Sequence, residues 1–355
     1  MTAREPPRPI VIAHRGASGY APEHTLLAYF IAVEQGADFI EPDLVSTRDG
    51  VLVARHENEI GATTDVARHR EFADRRTRKL IDGVPVEGWF TEDFTLAELK
   101  TLRVRERIAQ FRPANARFDG QLEIATLEEI LALVHALESA REAAPRAPGA
   151  PPPRRIGLYP ETKHPSYFAS LGLALEGPLL DALERHGYRG RDAPVYLQSF
   201  EVGNLIALRE RTALALVQLI ERDGAPYDLA ACADPRRYRD LIEPAGLAAI
   251  ARYADAVGVE KTLAVPRTPD GALDAPSPLI SDAHAAGLAV HAWTFRAENT
   301  FLPVPLRSSA EPSALGDLSA EIRAHLEAGI DGLFADQPFA AVRARDAFVA
   351  ARRAA

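Results

Sequence analysis

Apolar residues recur along this chain in two alternating rhythms. Short β-branched or aromatic runs come first: IVIA (10–13), DFIEPDL (38–44), VLVARH (51–56), IGLYPET (156–162) and VYLQSF (195–200). ALALVQLI (213–220), AVGVEK (256–261), LAVHAWTF (288–295) and GLFAD (332–336) continue the series. Between most of them lie segments with apolar residues at helical spacing: 25–35, 126–138, 168–186, 243–253, 276–286, 318–328 and 338–350. Gly36, Gly187, Gly287 and Gly329 stand where such segments stop, as expected of residues just past a helix end. Strands alternating with helices imply parallel pairing. About eight such units suit a closed (β/α)8 TIM barrel better than an open sheet. An open dinucleotide-binding sheet would carry G-x-G-x-x-G after its first strand, and HRGASGYAPE supplies none.

Two stretches break the rhythm. Residues 57–125 are charged, with a Pro/Gly-rich middle and few strand signals. They read as an insertion after the second unit, long enough to be a small lid on a single domain spanning 1–355. APRAPGAPPP (144–153) predicts a stiff exposed loop. The basic run RHREFADRRTRK (68–79) predicts a solvated helix face.

Composition narrows the function. A hydrophobic fraction of 47% over 355 residues supports a large core, and a net charge of −9 argues against a nucleic-acid surface. One cysteine, Cys232, allows no intrachain disulfide and is read as incidental. No apolar stretch reaches the ~18 residues of a membrane span. MTAREPPRP has no apolar export segment, so the expected compartment is the cytoplasm, or the periplasm if the true start lies upstream. The expected partner is a small molecule, with oligomeric state left open.

In a βα barrel the chemistry sits at the C-terminal ends of the strands. The first strand ends in His14-Arg15, the second carries Glu41 and Asp43 and continues to His56, and the third ends in Glu161-Thr162-Lys163. Residues i and i+2 of a strand share a face, so Glu41 and Asp43 point together, as do Glu161 and Lys163. Three carboxylates aimed at one mouth repel one another unless a cation sits among them. An oxygen-only set calls for Ca²⁺ or Mg²⁺, not Zn²⁺. His14 and His56 suit proton transfer near neutral pH. Arg15 and Lys163 suit phosphate oxygens. Gln198 is read as bonding either the site or the barrel interior. Phe200 and Trp293 are read as walling a substrate pocket or packing inside the barrel. His291 lies deeper and reads as core; His24 and His164 lie near the mouth with no role assigned.

The chain resembles a known family at this point. IAHRGASGYAPEHTL, GADFIEPDLVSTRDGVLVARHE, YPETK, VYLQSF and GIDGLFADQP, over about 10 to 345, are similar to glycerophosphodiester phosphodiesterases. PEHT and TTDVA followed by a long insertion look most like the periplasmic bacterial branch. The resemblance implies a TIM barrel with a small inserted domain and one divalent metal. It implies hydrolysis of glycerophosphodiesters, such as the choline and ethanolamine esters, to sn-glycerol 3-phosphate and an alcohol. By motif, Glu41, Asp43 and Glu161 match the metal ligands, His14 and His56 the acid/base pair, and Arg15 and Lys163 the phosphate contacts. His56-Glu57 departs from the family's usual His-Asp. The same site would also suit a phospholipase-like or sphingomyelinase D-like lyase that stops at a cyclic phosphate. A binding protein on the same fold is a further alternative, and it would be free to lose His56.

Overall fold

The structure is a computed structural model that describes residues 8–145 and 152–354. Most of the proline-rich loop expected at 144–153 and most of the polar start MTAREPPRP fall outside that range. Eight parallel strands form the scaffold: β1 (Ile10–His14), β2 (Phe39–Glu41 and Asp43–Ser46), β3 (Gly157–Leu158 and Glu161–Thr162), β4 (Tyr196–Ser199), β5 (Ala215–Ile220), β6 (Ala256–Glu260), β7 (Ala289–Phe295) and β8 (Gly332–Ala335). β8 pairs with β1, and β1 with the first half of β2. The first halves of β2 and β3 pair, and so do their second halves. β3 to β8 follow in sequence order, which closes the sheet into a (β/α)8 barrel.

β2 and β3 are split because each carries a proline, Pro42 and Pro160, that cannot donate to a ladder. The proline carbonyls still accept, Pro42 from the Glu161 amide at 2.9 Å and Pro160 from the Gln198 amide at 3.0 Å. The expected strand at 51–56 is not a parallel barrel strand. The chain turns at Thr47 and returns as Leu52–Ala54, antiparallel to Asp43–Ser46. The return is what carries His56 back to the barrel mouth.

Eight helices follow the eight strands: α1 (Leu26–Glu34), α2 (Leu127–Ala143), α3 (Glu176–Arg185), α4 (Val202–Arg211), α5 (Pro244–Ile250), α6 (Leu279–Ala285), α7 (Leu318–Ala328) and α8 (Pro338–Ala354). The single helix expected at 168–186 is two, Pro165–Ser170 and α3, interrupted near Gly172 in the left-handed region. α4 fills the place between two expected strands where no helical segment was singled out. Thr126 caps α2, with Glu129 completing the reciprocal box.

Two cores result. The larger lies between sheet and helices. The smaller fills the barrel, where Ile12, Phe39, Tyr159, Val217 and Phe334 pack together. His291 belongs to this interior, its Nδ1 2.7 Å from the Tyr159 hydroxyl, as its position implied.

The 57–125 stretch is inserted between β2 and α2. It contains a hairpin, Thr77–Ile81 with Val84–Gly88, which its charged sequence did not announce. The basic run is therefore not a helix face. It forms a 3-10 turn (Arg70–Arg75) and one strand of that hairpin, with Arg75 paired to Glu98 and Lys79 to Glu92 and Asp93.

Candidate active site

The corner after β1 is built by backbone conformation. Arg15 and Gly16 both have positive φ, 60° and 80°. A Cβ on Gly16 would lie 2.7 Å from the backbone of Ala28 in α1, so only glycine allows the helix this close. The turn aims the Arg15 amide at Glu41 Oε2, 2.8 Å away.

Strand register assembles the carboxylates. His14 stands beside Glu41, Asp43 beside Glu161, and Glu161 beside Gln198. Oxygens of Glu41, Asp43 and Glu161 lie within 4.8 Å of one another, and all three residues are buried. Burial pushes Glu41 well above the usual carboxylate range, and Asp43 and Glu161 add to the push. Burial also raises Glu161, to about 8, although Lys163 opposes it. Asp43 is pulled well below its ordinary value: burial opposes this, but Lys163, His24 and Arg15 prevail. The crowded trio therefore favours a neutralising partner, a proton on Glu41 or Glu161 or a cation among the three. Gln198 donates to Glu41 at 2.9 Å and leaves its Oε1 buried without a partner. Three carboxylates and a spare amide oxygen fit a hard cation.

The two histidines have matching supports. His14 Nδ1 lies 2.6 Å from Asp336 Oδ1 at the end of β8. His56 Nδ1 lies 2.9 Å from Glu57 Oε1. Asp336 and Glu57 are both held well below the ordinary range: burial opposes this, but Arg112 and Arg296 prevail at Asp336, and hydrogen bonds from His164 and His56 at Glu57. Each is an ionised acceptor, so Nδ1 carries the proton and Nε2 keeps its lone pair. Burial, then Arg15, lowers His14 to about 4; burial, then Arg15 and Lys163, lowers His56 to about 3. Both rings are neutral at pH 7.

One cavity of about 420 Å³ at the C-terminal end of the barrel is lined by all ten residues singled out from the sequence: His14, Arg15, Glu41, Asp43, His56, Glu161, Lys163, Gln198, Phe200 and Trp293. Lys163 Nζ lies 3.1 Å from Glu161 and 5.5 Å from the centre of the Phe200 ring. The Phe200 and Trp293 rings meet edge to face at 6.0 Å. Trp293 also donates to the Gly258 carbonyl, so it serves packing as well as the wall.

The sequence profile of the glycerophosphoryl diester phosphodiesterase family matches residues 14–340. The chain belongs to this family. A glycerophosphodiester phosphodiesterase of Arabidopsis thaliana is 34% identical over 343 residues, covering 93% of this chain and 84% of that protein. Another, from Haemophilus influenzae, is 29% identical over 356 residues, covering 93% and 87%. A phosphodiesterase of Oleispira antarctica, solved in complex with the product sn-glycerol-3-phosphate, superposes with a TM-score of 0.59 at 20% identity, covering 95% of this chain and 97% of that one. At that identity the superposition supports the fold alone.

Within this glycerophosphoryl diester phosphodiesterase fold, several site residues escaped the sequence reading. Arg107 from the insertion lines the cavity and pairs with Glu23 at 2.9 Å. Arg112 from the same insertion is buried between Glu298, at 2.6 Å, and Asp336, at 2.5 Å. Arg296 also lines the cavity and holds Asp336 at 2.9 Å. His24 donates to Asp43 at 2.9 Å and so steadies one carboxylate of the trio. His164 joins Glu57, at 3.0 Å, to Asp82, at 2.6 Å. Asp336 was readable as a strand-end acid in GLFAD. The arginines carried no periodic signal.

Proposed function

We propose that this chain hydrolyses glycerophosphodiesters to sn-glycerol 3-phosphate and an alcohol, with a divalent cation, Ca²⁺ or Mg²⁺, and with His14 and His56 as the proton-transfer pair. Family membership supports the phosphodiesterase activity itself. The observation that carries the finer reading is the single cavity in which two carboxylate-backed histidines face three crowded carboxylates and two cationic side chains.

Glu41, Asp43 and Glu161 would hold the cation, which supplies positive charge against the phosphoryl oxygens. The protein's own groups do the rest. Arg15 and Lys163 bind the remaining phosphate oxygens as permanent cations. One neutral histidine removes the proton of the glycerol 2-hydroxyl through Nε2, and its carboxylate partner stabilises the imidazolium that forms. The hydroxyl attacks phosphorus and the head-group alcohol leaves with a proton from Nε2 of the second histidine, which enters this step as the imidazolium, a form that the negative charge of the bound diester favours. Water then opens the cyclic phosphate with the histidines in exchanged roles. Intramolecular attack gains from proximity, with effective molarities that can reach ~10⁵ M or more.

Product analysis with glycerophosphocholine, with and without chelator, tests the reading. Formation of sn-glycerol 3-phosphate and choline should stop on chelation and resume with Ca²⁺ or Mg²⁺. Full turnover by metal-free protein in excess chelator would overturn the cation assignment.

A further inference from the structure

A second chamber of about 320 Å³ opens beside the first, and Glu161, Lys163, Phe200 and Glu221 line both. These shared residues form a doorway at the place assigned above to the phosphate. Beyond it the walls change character. Tyr227 and the buried Tyr238 join Phe200, with the Tyr238 and Phe200 rings 6.2 Å apart and edge to face. Glu201 and Glu221 complete that side. Neither forms an ion pair among the described residues. Glu201 accepts from the Ser166 hydroxyl and backbone amide, and Glu221 from the Arg222 amide. Burial lifts Glu201 to about 7 and raises Glu221 as well. The two cations that reach the chamber are already engaged, Lys163 with Glu161 and His164 with Asp82 and Glu57.

The opposite flank provides a contrast. A chamber of about 330 Å³ shares Trp293, Thr294 and Arg296 with the main cavity and is lined by Arg222, Lys261 and Arg267. Its four cations meet four carboxylates: Lys261 and Arg267 share Glu321, Arg296 holds Asp336, Arg222 holds Asp223, and Glu260 also lines the chamber. That flank has its charges balanced. The acidic and aromatic flank does not.

We infer that the chamber walled by Phe200, Tyr227, Tyr238, Glu201 and Glu221 seats the leaving alcohol and selects a cationic one, an ammonium or quaternary ammonium alcohol. Ring faces and uncompensated carboxylates are the two features that attract such a cation. The inference rests on the hydrolysis proposed above.

The test separates charge from shape. Hydrolysis of glycerophosphoglycerol, whose head group is neutral, is measured in the presence of choline or of 3,3-dimethyl-1-butanol, its uncharged isostere. Choline should inhibit the wild-type protein about tenfold more strongly than the isostere. Glu221→Gln and Tyr227→Leu should each bring the two inhibition constants together, mainly by weakening choline. Equal inhibition by the two alcohols in the wild-type protein would overturn the subsite, and so would undiminished choline inhibition in both variants when circular dichroism shows them folded. If the variants do not fold, the wild-type comparison decides alone. If no diester is hydrolysed, the proposed function fails. Calorimetric titration of the wild-type protein with choline and the isostere then judges the chamber separately, and equal or absent binding of the two overturns it.

Discussion

His14 and His56 each present Nε2 to the cavity because a carboxylate occupies Nδ1. Replacing either with Ala should lower kcat by about 10²–10⁴-fold, the usual worth of a positioned acid or base. Near-normal kcat in either variant would remove that residue from the proton path. The nucleophile is tested on the substrate side. A diester lacking the glycerol 2-hydroxyl should bind with a similar Kd yet turn over orders of magnitude more slowly, as expected when a neighbouring group at an effective ~10⁵ M is lost. Brisk turnover of that analogue, followed by phosphorus NMR, would leave water as the attacking group. The sequence revealed these residues because strand ends and period-2 spacing are local signals. Glu41 and Asp43 are two apart, and so are Glu161 and Lys163. The partner of His14 is not local. Asp336 lies 322 positions away, and only closure of the barrel brings it near.

Elements explain what the local pattern could not show. The insertion reaches into the barrel mouth through Arg107 and Arg112. Arg112 is buried between two carboxylates, so Arg112→Ala leaves Glu298 without its cation and Asp336 with Arg296 alone among the arginines. Removing one partner of a buried pair costs about 3–5 kcal/mol. Urea unfolding should show a loss of that order, and kcat should fall as Asp336 shifts behind His14. Arg107→Ala, on a half-exposed pair, should leave stability nearly unchanged and raise KM for glycerophosphodiesters. No change in KM would mean that Arg107 does not meet the substrate. A second link joins three elements, since His164 after β3 ties Glu57 to Asp82 of the hairpin. Burial works against the imidazolium, but the hydrogen bonds it donates to Asp82 and Glu57 win and raise His164 from 6.5 to about 9. A raised value means stability that is fully present below pH 6.5 and is lost as pH rises through about 9. The amount is roughly 3 kcal/mol. Denaturation midpoints should therefore decline across that window in the wild-type protein and stay flatter in His164→Gln. Parallel curves would refute the link. The charged, turn-rich insertion hid this arrangement because hairpin pairing and long-range ion pairs leave no apolar periodicity to read.

At the scale of the whole molecule the two ends of the barrel are separate charged assemblies. At the end away from the site, Arg345 of α8 is fully buried and reaches Asp38 at 2.6 Å and the Pro9 carbonyl at 3.1 Å. Asp38 in turn accepts from the Val11 amide at 2.8 Å. The network ties the last helix to the first two strands. Arg345→Met should lower the unfolding free energy by less than the cost of a buried charge left unpaired, about 3–5 kcal/mol, because Arg154 at 2.5 Å and Arg8 at 3.3 Å still face Asp38. The same variant should keep its KM and kcat at a temperature where it is folded, since conservation of the mouth does not depend on this end. Large kinetic losses in a folded Arg345→Met protein would show that the two ends are coupled. The alternation of strands and helices made the barrel legible from sequence. Which end carried which charges followed once strand direction was known.

Pro42 and Pro160 interrupt the two strands that carry the carboxylate trio. Each sits one residue from a member of that trio and has its φ locked by its ring. The cage is thus shaped by covalent restraint before any cation arrives. Without a cation the crowding is relieved by protons, since Glu41 and Glu161 are both raised above the ordinary carboxylate range. A cation entering such a preorganised cage has little ordering left to do, so its binding appears as added thermal stability rather than as a change of shape.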